Sequence, residues 1–132
     1  MTVGVAGLPM YDWPEVTGAI NALWLAIANR IQLAGVETPA SVWRPTGHQT
    51  LTDLWTHPDL LLAQACGLPV VQALARKVTV LGSLDYAVPG CDPGDYRSVL
   101  VCRTDDPSLD LAAFRGRRVA FNESDSQSGM GH

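Results

Sequence analysis

The sequence predicts an α/β fold: a mostly parallel sheet with helices on both faces. Three observations carry this. Short apolar runs alternate with segments of helical period along nearly the whole chain. Glycine and proline punctuate the joins between them. Hydrophobic residues make up 47% of the 132 residues, enough to build a sizeable core in one domain of ordinary size.

The first apolar run, residues 2–8, ends at Pro9 and predicts a buried first strand. A helix start follows. Asp12 is a candidate cap, Pro14 stands in the first turn, and Glu15 follows Asp12 at capping-box spacing. Val16, Ile20, Leu23, Trp24, Ile27 and Ile31 then fall on one continuous helical face, and Gly35 supplies the stop. Ala19, Ala22, Ala26 and Ala28 make this helix apolar all round, which predicts deep burial. Residues 41–44 read as a second strand, and Pro45, Thr46 and Gly47 as a turn. Thr50 with Asp53 caps a short helix that Pro58 breaks.

Residues 60–66 form the third predicted strand, ended by Gly67, and Pro69 opens a helix through Ala75. Residues 78–81, 97–103 and 118–121 are the fourth, fifth and sixth predicted strands. A Pro/Gly loop separates the fourth from the fifth, and a short helix from Pro107 to Gly116 precedes the sixth. The tail NESDSQSGMGH is polar and turn-rich.

Composition excludes several classes. Nine Lys and Arg against 13 Asp and Glu give a net charge of −4, with no basic run to neutralise phosphates, so nucleic acid is not an expected partner. No apolar stretch approaches the ~18 residues that a membrane span requires. Hydrophobicity this high argues against disorder. Cys66, Cys91 and Cys102 are spaced by 25 and 11 residues, which fits no zinc or redox pattern. They read as buried or half-buried thiols, with a Cys91–Cys102 hairpin disulfide as the alternative. The N-terminal residues carry no basic and apolar leader pattern.

In an open parallel sheet, ligands gather beyond the carboxyl ends of the strands. Four loops qualify: residues 9–11, 46–47, 64–67 and 122–129. In the last, Ser126, Ser128 and Gly129 let backbone N–H groups and hydroxyls approach an anion, above all at the opening of a helix. An ordinary serine-rich cap or a loose tail is the competing account. Tyr11 is a candidate to stack on a ligand or donate to it, against half-buried packing. Gln64 ends an apolar run, where a carboxamide needs a partner, in the core or in a ligand. Trp13, Trp24, Trp43 and Trp55 read as core or loop packing rather than a ligand cage.

Catalytic patterns are poor. Ser126 and Ser128 lack the preceding glycine of a nucleophile elbow. His48 and His57 are nine apart, off the spacing for two metal ligands on one helix face. His57, before Pro58 at a helix end, reads as a cation suited to the dipole there. No catalytic residue and no metal ligand is assigned.

Four segments, LPMYDWPEV with its ALW-containing helix, HPDLLLAQACGLPVV, LDYAVPGCDPGDYRSVLVCR and FRGRRVAFNESDSQSGM, follow one another in order. Together they resemble the phosphate/phosphonate-type substrate-binding proteins of ABC transporters, of the type 2 periplasmic-binding-protein fold. The resemblance covers about residues 3 to 130. It implies a two-lobed clamshell with an oxyanion in the cleft, no enzymatic activity, no cofactor, and an ABC permease as partner. Residues 1–103 would form lobe 1 with a hinge strand, and residues 104–132 the start of lobe 2. Ligand-binding positions carried over are Tyr11, Gln64, Ser126, Ser128 and Gly129. A periplasmic site is implied, whereas the N-terminal residues show no leader pattern, which leaves two alternatives: a cytoplasmic protein, or a leader left off this sequence.

Members of that family run well beyond this length, and their anion-binding helix continues where Gly131 and His132 end this chain. The expectation is a truncated member that binds phosphate weakly or not at all. Two other functions stay open from the residues: a ligand-sensing domain on the same fold, and a flavodoxin-like enzyme whose Ser/Gly loop holds a cofactor phosphate. The second would be betrayed by flavin colour, and it lacks a glycine-rich loop after its first strand.

Overall fold

The computed structural model describes residues 3–108 and 110–121. The chain falls into two compact units, one ending at Val78 and one beginning at Thr79. The first is mixed α/β, built on a two-stranded parallel sheet.

Strand β1 (Val5–Gly7) pairs with β2 (Leu60–Ala63), with Ala6 beside Leu62 and Gly7 beside Ala63. The register shifts between Val5 and Ala6. The backbones come very close beside this shift. A Cβ on Gly4 would stand 2.8 Å from the Leu61 Cβ and 3.2 Å from the Asp59 carbonyl oxygen, so only glycine lets the chain enter β1 there.

Two 3₁₀ turns, Pro9–Tyr11 and Pro14–Val16, lead from β1 into helix α1 (Thr17–Leu33). Trp24 and Ala28 are buried against Ala6, Leu8 and Val42, with Ile20, Leu23, Ile27 and Leu62 packed around them. This is the face that the helical period predicts. The rest of α1 departs from the prediction: Ala19, Ala22, Leu25 and Ala26 are exposed. One sheet as narrow as this covers one stripe of a helix and no more. The helix ends as expected. Gly35 takes φ +81°, and its N–H reaches the Gln32 carbonyl at 2.9 Å.

The alternation of β1 side chains distributes the two faces. Ala6 and Leu8 meet α1, whereas Gly7 lies under Leu54 of helix α2 (Leu51–Trp55), which is fully buried. Residues 41–44 are not a strand. They form an extended segment that gives β1 a single backbone bond, Trp43 N–H to the Ala6 carbonyl at 2.6 Å, and Val42 is buried. One bond holds the segment beside β1 without extending the ladder.

The capping box at α2 forms as the sequence predicts. The Asp53 carboxylate accepts from the Thr50 N–H at 2.6 Å and from its hydroxyl at 2.9 Å. These bonds, the backbone one foremost, hold the Asp53 carboxyl below the ordinary aspartate value. A depressed folded value means a stabilising contribution that is whole above the unfolded pKa and is lost as pH falls through the folded one. The difference in urea midpoint between the protein and Asp53→Asn is therefore expected to be whole near neutrality, to start shrinking as pH nears the ordinary aspartate value of about 3.9, and to be lost only below the depressed folded value. A difference that persisted unchanged in acid would remove the carboxylate from the cap.

Helix α3 (Gly67–Val71) is one turn long, shorter than the sequence predicts, and irregular turns carry the chain on to Lys77. Leu74 anchors that stretch in the interior.

The second unit contains no strand among its described residues. The fourth, fifth and sixth predicted strands, residues 78–81, 97–103 and 118–121, join no sheet and have no regular secondary structure. Val80, Leu81, Val99, Leu100, Val101 and Val119 are all exposed. Apolar β-branched sequence supplies strand propensity, but a strand exists only where a neighbour takes its backbone groups. The helix expected from Pro107 is a 3₁₀ turn, Leu111–Phe114, where the Asp110 carboxylate accepts from the Ala112 N–H at 3.1 Å. Arg117 pairs with Asp106 and lies 4.6 Å from the centre of the Phe114 ring. The Ser108 backbone N–H, first, and Arg117, further down, hold the Asp106 carboxyl below its usual range.

Candidate functional site

Parallel pairing sends β1 and β2 out of the sheet at the same end. The turn Pro9–Tyr11 leaves β1 there, and residues 64–66 leave β2 beside it. Three bonds fix the second loop. The Gln64 N–H donates to the Gly7 carbonyl at 2.9 Å, and the Trp55 indole N–H donates to the Gln64 carbonyl at 2.8 Å. The Cys66 thiol donates to the Met10 sulfur at 3.3 Å, a direct tie between the loops. Of the sequence-predicted ligand residues, Tyr11 and Gln64 thus occupy adjoining loops. The Tyr11 ring is 42% exposed, while the Gln64 side chain is half-buried and its Oε1 is sealed from solvent. Ser126, Ser128 and Gly129 lie outside the described residues.

Sequence reasoning missed a polar knot beside these loops. Asp12 does not close a capping box with Glu15. Its carboxylate pairs instead with Arg44, Oδ2 to Nε at 2.6 Å and Oδ1 to Nη2 at 3.2 Å. It also accepts from the hydroxyl of Thr17, the first residue of α1, at 3.3 Å. The same Arg44 Nη2 donates to the Asn21 carboxamide oxygen at 2.9 Å. The Asp12 side chain is 9% exposed and that of Arg44 36%. An internal carboxylate therefore already sits against the opening turn of α1 and the nearest guanidinium, the two features that would otherwise attract an anion. A partner 32 residues away leaves no local pattern in sequence, which is why Asp12 reads as a cap.

Trp13 departs from the packing expectation in the other direction. It is 61% exposed, and its ring stands edge-on to Tyr11 with centroids 6.0 Å apart at 74°. Trp24 is buried, and Trp43 and Trp55 are half-buried, in keeping with packing roles. The 46–49 turn closes on itself, the Thr46 N–H and hydroxyl both donating to Gln49 Oε1.

His57 follows the C-cap of α2, at the helix end that the sequence predicts, and its N–H reaches the Leu54 carbonyl at 3.2 Å. Its Nδ1 accepts from the Asp59 N–H at 3.1 Å, inside the turn that leads to β2. No disulfide joins the cysteines, and Cys102 is exposed rather than half-buried. Among the described residues, no group of three or more His, Cys, Asp or Glu side chains could hold a metal ion. No helix among them is long and apolar enough to cross a membrane.

A shallow depression of about 450 Å³ lies at the opposite end of the first unit, lined by Val3, Gln32, Gly35, Val36, Glu37 and Thr38. Glu37 is its one charged group, and it is wide open to solvent. It contains none of the sequence-predicted ligand residues and carries the Glu37 carboxylate, so the carboxyl-end loops remain the candidate site. The functional groups there are neutral: a phenol, a carboxamide, a thiol and a thioether. They can donate hydrogen bonds and stack, but they assemble no nucleophile with a base. The chain matches no protein-family model, no curated protein and no solved structure.

Proposed function

We propose that the chain is a non-enzymatic solute-binding component of an ABC transporter for an oxyanion of the phosphate or phosphonate class. In this reading it forms the first lobe and the start of the second lobe of a clamshell. Two lines support it. The four ordered sequence segments resemble that family across most of the chain. The observation that carries the reading is the parallel register of β1 and β2, which gives the loops of Tyr11 and Gln64 a common end, tied by Met10 and Cys66. Neutral donors at this end would bond to the oxygens of the guest, and the family resemblance adds Ser126, Ser128 and Gly129 as ligand positions. Closure around it would be a population shift, driven by its greater affinity for the closed form. Delivery to a permease would follow.

The test is an amide-resolved NMR titration of this chain with inorganic phosphate, which registers weak as well as tight association. Saturable shifts are expected at Tyr11, Gln64, Ser126, Ser128 and Gly129. Tyr11→Phe and Gln64→Ala should each weaken binding about two- to tenfold, as loss of one hydrogen bond does. Shifts that fail to saturate, or that cluster away from these loops, would overturn the reading.

A further inference from the structure

We infer that residues 97–103 are a self-recognition strand: two copies of this chain pair antiparallel through them, Leu100 against Leu100, to make a two-fold dimer. The inference does not rest on the transporter reading. Its first support is a symmetry in the sequence. Outward from Leu100, Val99 matches Val101, Ser98 matches its near-isostere Cys102, Arg97 matches Arg103, and Asp95 matches Asp105; only Tyr96 and Thr104 are unlike. A two-fold interface requires that where one residue meets a second, the second also meets the first. An antiparallel pair centred on Leu100 satisfies this with like residues at nearly every step.

The structure leaves this run free to pair. Among the described residues, no backbone group of residues 98–102 is hydrogen-bonded. Turns bound the run on both sides, with the Asp95 N–H on the Asp92 carbonyl at 2.9 Å and the Asp106 N–H on the Arg103 carbonyl at 3.1 Å. It holds neither proline nor glycine, so every N–H can serve a ladder. Val99, Leu100 and Val101 are 70%, 75% and 89% exposed. A strand-prone, uncharged stretch with unused backbone groups is a template for its own kind.

Charge fits a reversed second copy. Residues 95–105 carry two Arg and two Asp and are neutral, so the −4 of the whole chain lies elsewhere. In the antiparallel pair Arg97 lies diagonal to Asp105 of the other copy, and Arg103 diagonal to its Asp95, within reach of long side chains. Arg97 also stands opposite Arg103, but the Arg103 guanidinium already holds Asp105 by two bonds, at 2.8 and 2.6 Å, so the like pair costs little. Alternation puts Val99 and Val101 of both copies on one face, between these charges. One strand pair is much smaller than a standard interface of about 1,600 Å², so the dimer is a weak one.

Sedimentation velocity over roughly 10 μM to 1 mM should show a monomer–dimer equilibrium for the protein. Leu100→Lys and Leu100→Glu, each of which sets like charges together on the two-fold axis, should each weaken the dimer by more than about tenfold. An equimolar mixture of the two variants should restore it, since unlike charges then meet. Leu100 is exposed, so both variants should keep the parent's circular dichroism. Register is read by Ser98→Cys under mild oxidation. Mass spectrometry should find a disulfide from position 98 of one copy to Cys102 of the other, because positions four apart on one strand stand about 13 Å from each other and cannot bridge. A parent that stays monomeric at the highest concentration, single variants that still dimerise, or a mixture that stays monomeric would overturn the inference. So would species larger than a dimer, or links that join position 98 to position 98.

Discussion

Trp24→Ala is expected to cost the first unit about 3–5 kcal/mol, enough to unfold a domain of ordinary marginal stability. Trp24 is the largest fully buried side chain, and it joins α1 to Ala6 and Leu8 of the β1 segment and to Val42. Its indole N–H also donates to the Pro39 carbonyl at 3.0 Å, which ties down the connection between α1 and the extended segment. Truncation removes both the volume and the bond. Trp24→Phe separates them, since it fills most of the space and loses only the hydrogen bond, for about 1–2 kcal/mol. Urea unfolding followed by far-ultraviolet circular dichroism reads both. If Trp24→Ala unfolded within about 1 kcal/mol of the parent, the core would not be centred on this residue.

Arg44→Ala is the second large effect. It leaves the Asp12 carboxylate nearly buried, with the Thr17 hydroxyl as its remaining side-chain donor among the bonds described. Removing one partner of a fully buried ion pair costs about 3–5 kcal/mol. Arg44 reaches solvent, so water screens part of that, and about 1–3 kcal/mol is expected here. The double variant Asp12→Asn/Arg44→Ala should be more stable than Arg44→Ala alone, because no charge is then stranded. The same urea series decides it. A double variant as unstable as the sum of its parts would mean that the two side chains act independently.

What the sequence made legible was local. Apolar period placed the buried face of α1, Gly35 its end, Thr50 and Asp53 the α2 cap, and the runs around Ala6 and Leu62 the two paired strands. Each depends on residues within a turn or two of one another. Non-local matters were hidden. Residues 97–103 have every propensity of a strand, yet whether they become one depends on a neighbour that propensity does not name. The Asp12–Arg44 pair was hidden by a plausible local alternative, and the exposure of Trp13 by the usual fate of tryptophan. At the candidate site, Tyr11 and Gln64 were singled out because strand ends are where parallel sheets present loops, and the structure sets those two loops side by side. Their mutual tie through Met10 and Cys66 joins residues 56 apart, and no pattern announced it.

The carboxylate lodged against the first turn of α1 has a kinetic corollary. An anion approaching these loops meets a field already cancelled from within, so long-range Coulombic steering adds little to its arrival. Added electrolyte would then not slow association, since with a net charge of −4 there is repulsion rather than attraction for it to screen. Residence at this end would be governed by short-range fit.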